Sequence, residues 1–146
     1  MDAKWKSNVF ALLLASVSCS AAQAQTTLGE ILDKGGHVLE KDELTKTLVG
    51  ASFSGVRANG GTIDASVNAD GRIGGNLQNP GRAALNFIGV WKIADDGRFC
   101  FDYKANAPNA LPTTACTYYF QLGDEYFVSS SKSDLAASVT PRKIRH

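Results

Sequence analysis

The chain has 146 residues, with 15 Lys and Arg against 14 Asp and Glu, and 44% of it is hydrophobic. That length suits one domain behind a leader, and a net charge of +1 makes no electrostatic trap for nucleic acid or for an anionic membrane. Only two histidines, His37 and His146, are present, which leaves few routes to ordinary acid–base catalysis.

The first residues read as an address. Lys4 and Lys6 precede the apolar run Val9–Val17, and small residues lead to Ala22-Gln23-Ala24. A positive start, a short apolar core and an A-x-A end predict a secretory signal over 1–24, cleaved after Ala24. The apolar run falls well below the ~20 residues needed to span a bilayer, so no transmembrane segment is expected in the mature chain. Cys19 follows Ser16-Val17-Ser18, a weak match to a lipoprotein processing site, because Ser16 stands where a Leu-like residue is usual. Removing Lys4 and Lys6 from 15, and Asp2 from 14, leaves 13 charges of each sign.

Residues 25–49 read as helical. Thr27 and Glu30 fit a capping box, Leu28, Ile31 and Leu32 fall on one face, and Gly35-Gly36 ends the helix expected over Gln25–Lys34. No strand precedes Gly35-Gly36-His37, so these residues read as a turn rather than a phosphate-cradling loop. Leu39–Leu48 is a second short helix, acidic near its start at Asp42 and Glu43 and basic near its end at Lys46, as the helix dipole favours.

From residue 50 the period becomes two. Ser52–Arg57 alternates weakly, and Ile63, Ala65 and Val67 alternate with Thr62, Asp64 and Ser66. Turn signals stand at Asn59-Gly60-Gly61, Asn68-Ala69-Asp70-Gly71, Asn79-Pro80-Gly81, Asp95-Asp96-Gly97 and Gly123-Asp124. Between them lie strands at Arg72–Leu77, Ala84–Ala94, Arg98–Lys104, Cys116–Leu122 and Glu125–Ser130, with a loop at 105–114. Residues 131–146 read as a tail; Val139 is placed at the end of a last strand stopped by Pro141, and the basic Arg142–His146 as solvated. The fold expected is mainly β: a small antiparallel barrel or sandwich with one or two short N-terminal helices over 25–49 and the β domain over 50–130.

Cys100 and Cys116 remain after cleavage. An even pair in an exported chain predicts one disulfide, closing a loop with 15 residues inside it. Strict alternation puts Cys100 on the polar face of its strand but aligns Cys116 with Tyr118 and Phe120, which requires a bulge or a strand-end bridge.

The elements with chemical potential are few. No G-x-S-x-G elbow exists to go with His37. Asp95-Asp96 and Asp124-Glu125 are adjacent carboxylates, but both pairs sit in turns, where side chains face solvent. Asn68-Ala69-Asp70-Gly71 lacks the remaining ligands of a calcium loop. Neither metal nor cofactor is expected. Aromatics are dense between Trp91 and Phe127. Trp91, in the most apolar strand, is assigned to the core. Tyr118-Tyr119-Phe120 places successive rings on opposite faces, and Tyr119, with Thr117 and Gln121 beside it, is assigned to an exposed binding face.

Gly89-Val90-Trp91, Asp96-Gly97-Arg98-Phe99-Cys100, Cys116 and Gly123-Asp124-Glu125-Tyr126 together resemble the pattern of small exported proteobacterial proteins catalogued as domain of unknown function 995, over about residues 39–128. The resemblance implies export and a small β fold, and no activity. A broader resemblance is to lipocalin-like and avidin-like barrels, which also use Gly-x-Trp. There the motif lies on the first strand; here it lies at 89–91, so no ligand-binding residue is carried over.

These features describe an exported protein, periplasmic or secreted, that binds an envelope protein, a glycan or a small apolar ligand without catalysis. A carboxylate-dependent hydrolase and a structural or surface-attachment protein are the alternatives.

Overall fold

The computed structural model describes residues 26–146; the signal segment, the cleavage after Ala24 and Cys19 lie outside the described residues. Two short helices come first. Helix α1 spans Leu28–Asp33, and its capping box is made: the Thr27 N–H donates to Glu30 Oε2 at 2.8 Å, and the Glu30 N–H to Thr27 Oγ1 at 3.3 Å. A two-residue strand, β1 (His37–Val38), separates it from α2 (Lys41–Leu48).

Eight antiparallel strands follow: β2 Ser52–Val56, β3 Thr62–Val67, β4 Arg72–Gln78, β5 Leu85–Ile93, β6 Phe99–Ala105, β7 Thr113–Leu122, β8 Glu125–Ser129 and β9 Thr140–Arg145. Each pairs with its sequence neighbour, and β9 pairs with β2, so the sheet closes into a barrel. Full closure leaves no long sheet edge open to other chains. The expected turns form hairpins at both ends of the barrel: those at 59–61 and 79–81 at one end, and those at 68–71, 95–97 and 123–124 at the other. Gly71 and Gly97 stand at φ 87°, a left-handed conformation that suits glycine, and Gly123-Asp124 joins β7 to β8 in two residues.

Two clusters bury the apolar residues. The larger fills the barrel: Phe53, Ile63, Val67, Ile73, Phe87, Phe99 and Phe101 point inward, and Leu39, Leu44 and Leu48 pack against them. Helix α2 runs directly into β2, so its apolar stripe covers the end of the barrel where β2 begins. The smaller cluster lies outside. There Leu28 and Ile31 of α1 pack on Phe120 of β7 and on Val139, with Tyr118, Leu122 and Phe127 around them. Trp91 is half-buried; its ring stacks on Phe99 at 5.9 Å between centroids, and its indole N–H donates to the Asn68 carbonyl at 2.8 Å.

Two expectations need correction. Residues 140–145 are not a solvated tail: they form β9, which closes the barrel between β2 and β8, with Pro141 inside the strand opposite Phe127. Strand β7 also begins at Thr113 rather than Cys116, which shortens the connection after β6. Cys100 and Cys116 lie directly opposite each other in the β6–β7 pairing, at disulfide-bonding distance with Cα atoms 4.1 Å apart. No bulge is needed, because both cysteines take the outer face.

Candidate functional site

The face assignment of β7 is inverted relative to the sequence reading. Tyr119 is 1% exposed and points into the barrel, in edge-on contact with Phe53 and Phe99 at 6.5 and 6.1 Å between centroids. Alternation cannot tell the two faces of this strand apart, since the barrel core covers one and α1 covers the other. Thr117 shares the inward face with Tyr119. Gln121 does not join them at a site: it lies near the β7–β8 turn, its side-chain amide donating to the Gly123 carbonyl at 2.9 Å.

What Thr117 and Tyr119 line is a cavity of about 830 Å³, open to solvent at the barrel end opposite the one covered by α2. Its apolar wall is Phe53, Ile63, Phe101, Ala115 and Val128. The polar groups include Arg57, Thr117, Tyr119, Thr140 and Arg142, with Asn59, Ser130, Asp134 and Ser138 among the connecting residues at the mouth and Ser129 at the end of β8. The opening follows from the strand register. Pairing of β7 with β8 begins at Tyr118, opposite Ser129, so residues 113–117 extend past the end of β8, and the β8–β9 connection passes by them. A cavity of this size with an apolar lining and a few convergent polar groups has the general character of a small-ligand site.

Arg142 is the residue that the sequence reading missed. It lies on β9 directly opposite Gly55 of β2, two residues before the inward-facing Ile144. A Cβ on Gly55 would fall 2.6 Å from Arg142 Nη1 and 2.5 Å from the Pro141 carbonyl oxygen, so the missing side chain makes room for the guanidinium. Nη1 donates to the Val56 carbonyl at 2.6 Å, the Pro141 carbonyl at 3.1 Å and the Thr140 hydroxyl at 3.4 Å. Nε is buried and has no acceptor among the described residues. Burial lowers the Arg142 guanidinium from its ordinary value; the neighbouring Tyr119 opposes this shift, and the charge of Arg57 adds to it. Burial pushes the Tyr119 phenol up to about 12 against the pull of Arg142, so Tyr119 is a neutral donor at physiological pH.

No family model, curated protein or solved structure matches the chain.

The other candidates are placed elsewhere. Asp96 lies at the β5–β6 turn outside the barrel. Desolvation works to raise its carboxyl, but the Arg98 backbone N–H, the Arg98 charge and side-chain hydrogen bond, and the Tyr118 hydroxyl together hold it below the usual carboxylate value. Arg98 Nε reaches Asp96 Oδ2 at 2.7 Å, which makes this carboxylate a structural acceptor. Asp95, Asp124 and Glu125 lie on or beside turns, and all three are exposed. His37 is exposed beside Glu43, with Nε2 3.6 Å from Oε1. Among the described residues no group of three His, Cys, Asp or Glu gathers as a metal site, and no helix is long and apolar enough to cross a membrane.

A second concavity of about 620 Å³ lies on the outer surface, along Ser54, Thr62, Asp64, Asn76 and Lys143. Its Asp64 is already engaged by Arg145 at 2.9 Å, and no unpartnered buried donor among the described residues faces it.

Proposed function

We propose that this protein is an exported, non-enzymatic binder of a small, largely apolar ligand, taken into the mouth of the barrel. The observation that carries the reading is the cavity of about 830 Å³, whose walls include Phe53, Ile63, Phe101 and Val128 and whose polar groups converge from β7, β9 and the β2–β3 connection. Its size lies within the range of roughly 300–1,000 Å³ usual for such sites. Periplasmic or secreted placement belongs to the same proposal, supported by the signal-like first 24 residues and by the Cys100–Cys116 pair.

The test is a titration with N-phenylnaphthylamine, a neutral probe that brightens in apolar surroundings. A saturable signal at one probe per chain, abolished by Thr117→Trp, is expected, because the indole would fill the mouth. Equal binding by Thr117→Trp would place the probe outside the barrel and overturn the reading.

A partner protein in the envelope is the second reading. It is favoured by the outer face of β5, where Ile88 and Val90 are 78% and 57% exposed.

A further inference from the structure

We propose that the mouth of the barrel selects ligands bearing a carboxylate, with the carboxylate seated against Arg142 and Tyr119 and the apolar body lying along Phe53, Phe101 and Val128. The inference rests on the small-ligand reading above and adds the chemical class of the ligand.

Arg142 carries a charge that lacks a counter-charge. It is half-buried inside the barrel, yet none of the ion pairs among the described residues involves it or Arg57. Burying a cation without an anion is costly, and proteins rarely retain one unless something compensates it. The protein compensates in part: the two carbonyls and the hydroxyl that accept from Nη1 hold the guanidinium in one orientation. They leave Nε–H with no acceptor within hydrogen-bonding distance, with the Tyr119 hydroxyl interacting with the guanidinium from beside it. A carboxylate engages a guanidinium side-on through Nε–H and one Nη–H, so that edge is the one that a carboxylate fits.

Two further donors favour the same group. The Tyr119 hydroxyl lies against Arg142 and keeps its proton throughout the physiological range. Arg57 also lines the cavity and is close enough to depress Arg142 by charge repulsion, a repulsion that an anion between them would relieve. Among the described residues Asp134 is the one carboxylate lining this cavity, and its Oδ1 already accepts from the Ala136 N–H at 3.0 Å. The walls are apolar, so the ligand is an amphiphile with one anionic end rather than a free inorganic anion.

The experiment is displacement of N-phenylnaphthylamine by decanoate, decanol, decylamine and inorganic phosphate, on the full exported chain at neutral pH. Decanoate should displace the probe at a concentration roughly tenfold or more below decanol, with decylamine weaker still and phosphate inert, since a hydrogen bond to a charged group outweighs one between neutral groups. Arg142→Gln should remove the preference for decanoate while leaving decanol unchanged. Arg142→Lys, which retains the charge but not the guanidinium edge, should reduce it, and Tyr119→Phe should weaken decanoate several-fold with decanol unaffected.

Equal displacement by decanoate and decanol overturns the carboxylate proposal while leaving the small-ligand reading intact. Failure of the neutral probe itself to bind overturns the reading beneath it. A preference that persists in folded Arg142→Gln moves the anion away from this residue and overturns the proposed seat. If Arg142→Gln does not fold, Arg142→Lys decides the seat, and the wild-type series still decides the ligand class.

Discussion

The Tyr119 hydroxyl and the Arg142 guanidinium lie against each other inside the barrel, on strands separated only by β8. Each bears on the other's proton. Burial raises the phenol to about 12 from an ordinary value of 10.0, and the guanidinium limits that rise. Because the folded phenol holds its proton more tightly than the unfolded one, the associated stability is complete below pH 10 and is lost as pH rises towards 12. The loss expected is on the order of 2–3 kcal/mol, since each tenfold difference in proton affinity between the folded and unfolded phenol is worth about 1.4 kcal/mol. Urea melts of wild type and Tyr119→Phe across this range should show the decline in wild type and a flatter profile in the variant.

Tyr119→Ala and Tyr119→Phe should separate the ring from its hydroxyl. The ring fills the core against Phe53 and Phe99, so truncation to Ala should cost about 3–5 kcal/mol, the range for large buried aromatics. Phe keeps that packing and should melt within about 1 kcal/mol of wild type, since a net hydrogen bond is worth about that much. Thermal melts of the two variants in parallel make the comparison.

Gly55→Ala tests whether the Arg142 position is built into the strand pairing. The added methyl meets the Pro141 carbonyl and Arg142 Nη1, so β2 and β9 must separate or the guanidinium must turn. A destabilisation of about 1–3 kcal/mol, typical of overpacking, is expected in a chemical melt. Gly50→Ala makes a useful contrast: a Cβ there has nothing within 4 Å, and any cost comes from the backbone at φ 80°.

Reduction tests the Cys100–Cys116 pair. Alkylation of folded protein without reductant should label neither cysteine. Cleaving the bridge should cost roughly 3 kcal/mol by loop entropy, a loss readable as a lower urea midpoint with reductant present. Rapid labelling of both cysteines in folded, exported protein would contradict the pairing.

The strands and turns were legible because period two and Gly-containing turns are local signals. Ile63, Ala65 and Val67 alternate with polar residues that do face water, and the Asp-Gly turn at residues 96–97 lies where expected. The inside and outside of β7 were not legible. Tyr119 and Phe120 are both buried, one in the barrel and one beneath α1, so the alternation carries no sign. Strand β9 was hidden by its charges. Lys143 and Arg145 alternate with Arg142 and Ile144 as in a surface strand, but inward-facing Arg142 breaks the apolar alternation that Ile144 alone could not restore. The cavity followed both errors, because Thr117, Tyr119, Thr140 and Arg142 come from the inner faces of the two strands read incorrectly.

The central claim is that a ligand enters the barrel through this mouth. Backbone amide NMR shifts during titration with N-phenylnaphthylamine measure it directly. The largest shifts are predicted at Thr117, Tyr119, Ser129, Thr140 and Arg142, with Ile88 and Val90 unmoved. Shifts confined to Ile88, Val90 and their neighbours on the outside of β5 would contradict it, and would make the exposed sheet face the binding surface.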